Sequence, residues 1–317
     1  MNKSLFCSLY LLLFTFFQLI PFESILTQIR FGALIPSSSV KTEDTWIVFG
    51  SFRGGDFSSS VYRIRPDGSG ETLISRHPGG RPNSLDPSVC PDGRILFTRG
   101  GGDHRESIWI MNGDGSGERE LISGVGLRFG GGHALPSIST DGKTLLYVHA
   151  KSRQDTSVYT RALDGGEPKP LGPGRYPAWS PDGKVALVRD VDGTDQVFAT
   201  EGQALKQITF GPGATYPSWS PDGQSLVFCQ PTGGKLDIFI LSLSSGEPRQ
   251  LTFTADQSEK EPTWSPDGRW IAFTKPPPDA PDGWQKSIFL IPVEGGPAKQ
   301  ITGSRFNDTR PTWMVMP

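Results

Sequence analysis

Tyr176-Pro-Ala-Trp-Ser-Pro-Asp-Gly183 decides how this chain is read, because close copies of it recur along nearly the whole sequence. It returns as YPSWSPDG at Tyr216–Gly223 and EPTWSPDG at Glu261–Gly268. Altered forms stand at Asp86–Gly93 (DPSVCPDG) and Leu135–Gly142 (LPSISTDG), and a truncated RPTW at Arg310–Trp313. The prolines at 87, 136, 177, 217, 262 and 311 are 49, 41, 40, 45 and 49 residues apart. That is the period of a repeated supersecondary unit.

Each copy has a local meaning. Pro181 presets the φ of the second position of a type I turn, Asp182 suits the third, and Gly183 supplies positive φ. Ser-Pro-Asp-Gly therefore reads as a hairpin turn between a short Pro-x-Trp strand and an apolar strand such as Val185-Ala-Leu187, Leu226-Val-Phe228 or Ile271-Ala-Phe273. A second column opens a third strand: Val61-Tyr62, Ile108-Trp109, Val158-Tyr159, Val197-Phe198, Ile238-Phe239 and Ile288-Phe289. Turns such as Asp164-Gly-Gly166 follow, and then a fourth strand such as Arg249-Gln-Leu-Thr252. Four antiparallel strands per repeat describe a β-propeller blade.

The two ends complete each other. Thr45–Gly80 supplies strands two to four of a blade without a Pro-x-Trp strand, and Arg310–Val315 supplies that strand alone. The expected fold is all-β: a six-bladed β-propeller of four-stranded antiparallel blades, its ring closed by the C-terminal strand completing the N-terminal blade, which removes two open edges. The blades are expected at Asp44–Gly80 with Arg310–Val315, Asp86–Gly124, Leu135–Gly172, Tyr176–Pro212, Tyr216–Thr254 and Glu261–Gly303.

Composition agrees with many short strands and turns. The 317 residues include 39 Gly and 28 Pro, are 35% hydrophobic and carry a net charge of −2, enough apolar content for a large core and no excess charge for a nucleic-acid partner. A monomer is expected. Lys3 followed by the apolar run Leu5–Ile20 reads as a secretory leader, with an uncleaved N-terminal anchor as the alternative and the sole expected membrane attachment. The organisation is then 1–40, signal peptide and short linker, and 41–317, propeller. Beyond Cys7 in the leader, Cys90 and Cys229 lie in well-separated repeats, so no disulfide is expected.

The pattern Pro-x-Trp-Ser-Pro-Asp-Gly, the following aliphatic-x-Phe, the Ile/Val-aromatic strand and the turn Asn112–Gly117 together resemble the TolB-like β-propeller repeat family over roughly Asp44 to Val315. The resemblance is to the propeller alone, without that family's N-terminal α/β domain. The leader implies an extracytoplasmic protein, periplasmic in a Gram-negative host and otherwise secreted or membrane-anchored. The same motifs also occur in the gating propellers of prolyl-oligopeptidase-like enzymes.

For function, no Gly-x-Ser-x-Gly elbow is present, since Ser69 and Ser116 have Asp two places upstream, which argues against a covalent hydrolase. Loops joining strands two to three, and strand four to the next strand one, share a face. They vary in length, whereas the turns opposite are stereotyped, so binding is expected on that loop face. The candidates are Arg53, His77, Arg105, Arg128, His133 and Trp284, engaging a protein or peptide partner in the cell envelope over the central channel, with no cofactor and no catalytic residue. The alternative is a divalent-metal-dependent lyase or hydrolase acting on an extracellular polymer, with His77, His104 and His133 converging on the cation. Asp190-Val-Asp-Gly-Thr-Asp195 has half the pattern of a calcium loop, but it also suits a tight hairpin turn. The periodic Trp179, Trp219, Trp264 and Trp313 read as packing between blades.

Overall fold

The Ser-Pro-Asp-Gly copies fold as their residues dictate. In a computed structural model of the chain, the Gly183 N–H donates to the Ser180 carbonyl at 3.1 Å, and Gly183 takes φ +84°. The Ser180 hydroxyl donates to Asp182 Oδ1 at 2.5 Å and accepts the Lys184 N–H at 2.7 Å, so one side chain ties both ends of the turn. Ser139, Ser220 and Ser265 repeat the arrangement. Where Cys90 replaces the serine, the backbone turn persists, and Asp92 turns to Arg94 at 2.7 Å.

The structure describes residues 45–53, 59–75, 84–100, 105–127, 134–152, 155–202, 204–254, 256–280 and 284–316, without the side chains of Arg105, Gly126 and Leu127. The leader expected over 1–40 lies outside them. They form six four-stranded antiparallel sheets with sequential strand order. Blades two to six run Ser84–Leu127, Ser137–Pro173, Arg175–Gln207, Thr215–Gln250 and Lys260–Gln300, and blade one is Thr45–Leu73 completed by Asn307–Val315. In that closure Thr45 pairs with Val315 and Phe52 with Asn307, as the complementary ends of the sequence require. Each inner strand packs against the inner strands of the blades on both sides, so the ring is continuous.

Hydrophobic clusters straddle consecutive blades, for example Val188, Val197, Trp219 and Phe228 between blades four and five, and Val227, Ile238, Ile271 and Phe273 between five and six. The aromatic column stacks across strands two and three within a blade. Ring centroids are 6.0 Å apart for Phe49 and Tyr62, 6.2 Å for Phe228 and Phe239, and 5.9 Å for Phe273 and Phe289. Trp219 and Trp313 are buried, and Trp179 and Trp264 pack on the clusters of their neighbours. Cys90 and Cys229 are buried free thiols. Burial pushes Cys90 up to about 12 and raises Cys229 as well, so neither is a ready nucleophile.

Two local features refine the sequence expectation. Asp192 and Gly193 take φ +52° and +82°, and the Gly193 N–H is held by Asp190 at 3.0 Å. The acidic segment is thus a two-residue hairpin turn. The inner strands also begin earlier than Pro-x-Trp, at Ser84, Arg175, Thr215, Lys260 and Asn307 in five blades, and each of the five carries a register shift at the proline.

Candidate functional site

That register shift has a conformational signature. Asp86, Leu135, Tyr176, Tyr216, Glu261 and Arg310, the residue before each inner-strand proline, all take positive φ between 45° and 58°. A residue before proline favours extended backbone, and left-handed geometry at a non-glycine is strained by about 1–3 kcal/mol. In five of the six a bulge accompanies it, and a bulge re-aims the side chain. Five of these side chains, Asp86, Tyr176, Tyr216, Glu261 and Arg310, meet one another, whereas Leu135 packs on the cluster between blades three and four.

Arg310, on the closing strand of blade one, dominates this layer. Its Nε lies 3.4 Å from Asp86 Oδ1 of blade two and 3.4 Å from Glu261 Oε1 of blade six. Its guanidinium lies 5.1 Å from the ring centroids of both Tyr176 and Tyr216, in blades four and five. Those two rings are 4.4 Å apart. Blade four stands opposite blade one, so the contact between Arg310 and Tyr176 crosses the channel and closes it at this level. Burial alone would raise the Glu261 carboxyl, but the charges of Arg310 and Lys286, with the hydrogen bonds from the Arg310 N–H and the Thr274 hydroxyl, together outweigh burial and hold it below its ordinary value. Burial likewise opposes the charge on Arg310, and Glu261, Asp86, Tyr216 and Tyr176 together overcome that to hold the guanidinium above its ordinary value. Glu261 Oε2 also accepts the Arg310 N–H at 2.9 Å and the Thr274 hydroxyl at 3.1 Å. The layer was not singled out in the sequence. Its signal was the one variable letter, D, L, Y, Y, E and R, in front of a constant proline.

On the loop face, among the described residues, three large aromatic side chains are exposed on consecutive blades: Phe210 (74%) after blade four, Phe253 (77%) after blade five, and Trp284 (47%) in blade six. The two phenylalanines follow Gln-Ile-Thr and Gln-Leu-Thr. In each, the threonine hydroxyl takes a strand-three N–H, that of Val197 at 2.8 Å or Ile238 at 2.9 Å. The glutamine amide donates to the threonine carbonyl at 2.8 and 2.9 Å. These bonds end strand four and turn the next residue outward. Trp284 meets Phe52 edge-on at 6.4 Å.

Of the sequence candidates, Arg53 is engaged within its own blade. It donates to Glu71 at 2.6 Å and Ser51 at 2.9 Å, and it stacks on Tyr62 at 3.9 Å and Phe306 at 4.5 Å. His77, His104, Arg128 and His133 lie outside the described residues, as does the side chain of Arg105. The structure therefore places Arg53 and Trp284 at the same end of neighbouring blades and does not describe the histidine trio. Among the described residues, no group of three or more His, Cys, Asp or Glu is placed to hold a metal.

Two buried carboxyls sit at equivalent positions beneath the loops, each two residues before a channel-layer residue. Burial raises Glu259 to about 7; Lys275 Nζ is 3.9 Å from its Oε1, and its Oε2 is buried without a hydrogen-bond partner. Burial raises Asp308 to about 6, against a hydrogen bond from the Ser51 hydroxyl at 2.6 Å.

Residues 133–314 match the model of the TolB beta propeller domain. No curated protein matches the chain. Among solved structures, TolB from Acinetobacter baumannii superposes with a TM-score of 0.69 at 18% identity, over 85% of this chain and 66% of that one. The chain thus spans just under two thirds of that protein's length. A puromycin-hydrolysing peptidase from Mycobacterium tuberculosis gives 0.57 at 15% identity, over 81% of this chain and 44% of the other. An oligogalacturonate lyase in complex with manganese gives 0.53 at 16% identity, over 81% and 73%. At these identities the likeness is one of fold.

Proposed function

The chain belongs to the TolB beta-propeller domain family, and we propose that it acts as an exported, non-catalytic binding or scaffold propeller that engages a protein or peptide partner through its loop face. The observation that carries this is the arc of Phe210, Phe253 and Trp284, three exposed aromatics on consecutive blades of one face. Aromatic side chains are enriched in the cores of protein interfaces, where they bury large area at low entropic cost. The turns opposite present Asp, Lys, Arg and Gly, with Leu243, Val315 and Met316 as exposed aliphatic side chains at that end and no exposed Phe or Trp among the described residues. The arc lies on the face that the sequence marks by its variable loops, and folds of this kind acquire function by varying loops on a constant scaffold.

The partner is a protein or peptide of the cell envelope, with apolar side chains that fill the spaces between the three aromatics. The leader-like N-terminus supports an extracytoplasmic location. Capture from an envelope extract tests the face: the Phe210→Ser, Phe253→Ser double variant loses the partner recovered by the wild type. Unchanged recovery would exclude this surface. Metal analysis of the purified protein addresses the alternative chemistry. A stoichiometric divalent cation lost on His104→Ala with His133→Ala would replace the binding role with a metal-dependent lyase or hydrolase.

A further inference from the structure

On the turn side of the channel layer lies a cavity of about 300 Å³. Its wall is the residue after each inner-strand proline: Ser88, Ser137, Ser218, Thr263 and Thr312, with Ala178 in the remaining blade. Its inner end is Tyr176, Tyr216, Glu261 and Arg310. Because Arg310 meets Tyr176 across the channel at 5.1 Å, the cavity is a cup with a closed floor. Among the described residues none of the five wall hydroxyls has a hydrogen-bond partner within the chain, and that of Ser137 is buried. By contrast, the turn serines Ser139, Ser180, Ser220 and Ser265 each donate to their turn aspartate at 2.5 Å. Five blades thus present one unused hydroxyl each around a common axis, the state of groups that wait for a ligand or ordered water.

The floor does not select a charge. Arg310 Nε lies 3.4 Å from both Asp86 and Glu261, and the charge of Lys286 acts on Glu261 as well. The two carboxylates also accept the hydroxyls of Thr98 at 3.3 Å and Thr274 at 3.1 Å. Two cations therefore stand against two carboxylates, and a charged ligand of either sign would unbalance a poorly solvated site. An apolar ligand would strip the wall hydroxyls of water and leave them unpaired. What fits is a neutral, compact molecule with hydroxyls along its edge, each able to donate and accept as the wall hydroxyls do. Its C–H faces can lie against Pro177, Pro217 and Trp179, which also line the cup. The volume is that of about ten water molecules in the liquid, at the lower end of small-molecule sites. A single six-membered sugar ring is of that size, and the closed floor stops a chain from threading through.

We propose that this cup, on the turn face of the channel, binds a neutral hexopyranose, either a free monosaccharide or the terminal ring of a glycan chain entering end-on. The site is separate from the loop face and does not depend on the partner assigned there.

Titration of the full chain with D-glucose, D-galactose and D-mannose, followed by protein-observed NMR with the Trp179 indole N–H as reporter, tests the assignment. At least one of the three gives a saturable shift. Cyclohexanol, which keeps a six-membered ring and one hydroxyl, binds at least about tenfold more weakly, and so do the 2-amino sugar and the uronate of the hexose that binds. Thr263→Val with Thr312→Val keeps the shape of the wall and removes two hydroxyls. It lowers the affinity at least about tenfold and leaves the thermal midpoint unchanged, because those hydroxyls bond nothing in the chain. Ser218→Leu fills the cup and abolishes the shift. The methyl glycosides of the hexose separate the two sources: undiminished affinity for either anomer identifies a chain end, and at least about tenfold loss for both identifies a free sugar. No saturable shift with any of the three hexoses, the result for a cup that holds water alone, would overturn the proposal. So would cyclohexanol or either charged sugar binding as tightly as the hexose, or full hexose affinity in the Ser218→Leu or the double valine protein.

Discussion

On the turn face, Asp141, Asp182 and Asp222 are held below the ordinary carboxylate range by hydrogen bonds from Ser139, from Lys184 with Ser180, and from Ser220. Beneath the loops, Glu259 and Asp308 are pushed the other way by burial, to about 7 and about 6. The two ends of the same blades thus use carboxyls for different tasks. The turn aspartates are exposed and satisfied, and they fix a backbone shape repeated around the ring. The loop-end carboxyls are buried and incompletely satisfied, the condition expected where a scaffold has been adapted to something else.

The largest effect that could sharpen this contrast is at the channel layer. Arg310→Ala leaves Asp86 and Glu261 without their shared counter-charge and removes the contact across the ring. It should cost about 3–5 kcal/mol in denaturant unfolding, as breaking a buried ion pair does. A cost below about 1 kcal/mol would make the layer incidental to closure.

Next comes pH. Glu259 and Asp308 have folded values raised above the ordinary ones, so the folded chain retains protons that the unfolded chain releases. Their contribution is complete below about pH 4 and is lost as pH rises through 6 to 7. The turn aspartates, with lowered values, contribute above about pH 4 and lose their contribution on acidification. Glu259→Gln should therefore flatten the fall in stability between pH 5 and 8, by roughly 2–3 kcal/mol at pH 8 from a shift to about 7. Unchanged pH dependence of the thermal midpoint in that variant would break the comparison.

Smaller still is Gly183→Val. A Cβ at Gly183 would meet no atom within 4 Å, so its cost is that of φ +84° alone, about 1–2 kcal/mol. Partner recovery should not change in the folded fraction. The double change Phe210→Ser, Phe253→Ser should alter stability by less than about 0.5 kcal/mol, because both side chains are exposed.

How much of this the sequence carried follows from the range of the interactions. Strand count, blade boundaries and ring closure are written in turns of four or five residues and in a period, so they are legible from the sequence near Tyr176–Gly183. The channel layer is not. Arg310 meets Asp86, Tyr176, Tyr216 and Glu261 because five bulges aim these side chains together, and a bulge before proline runs against local preference. Phe210 and Phe253 were hidden for another reason: each stands just past a fourth strand, where the sequence does not say which way a side chain faces. The threonine and glutamine side chains end those strands by hydrogen bonds to backbone partners that the sequence does not identify.

The central claim, that the loop face carries partner binding and the turn face carries the fold, is tested most directly by one paired measurement. Partner recovery from an envelope extract is quantified for Phe210→Ser, Phe253→Ser and for Gly183→Val, each normalised to folded protein. The account predicts that the first loses the partner at wild-type stability and the second keeps it at reduced stability. Loss of the partner in a fully folded Gly183→Val protein, with full recovery by the phenylalanine variant, would contradict it.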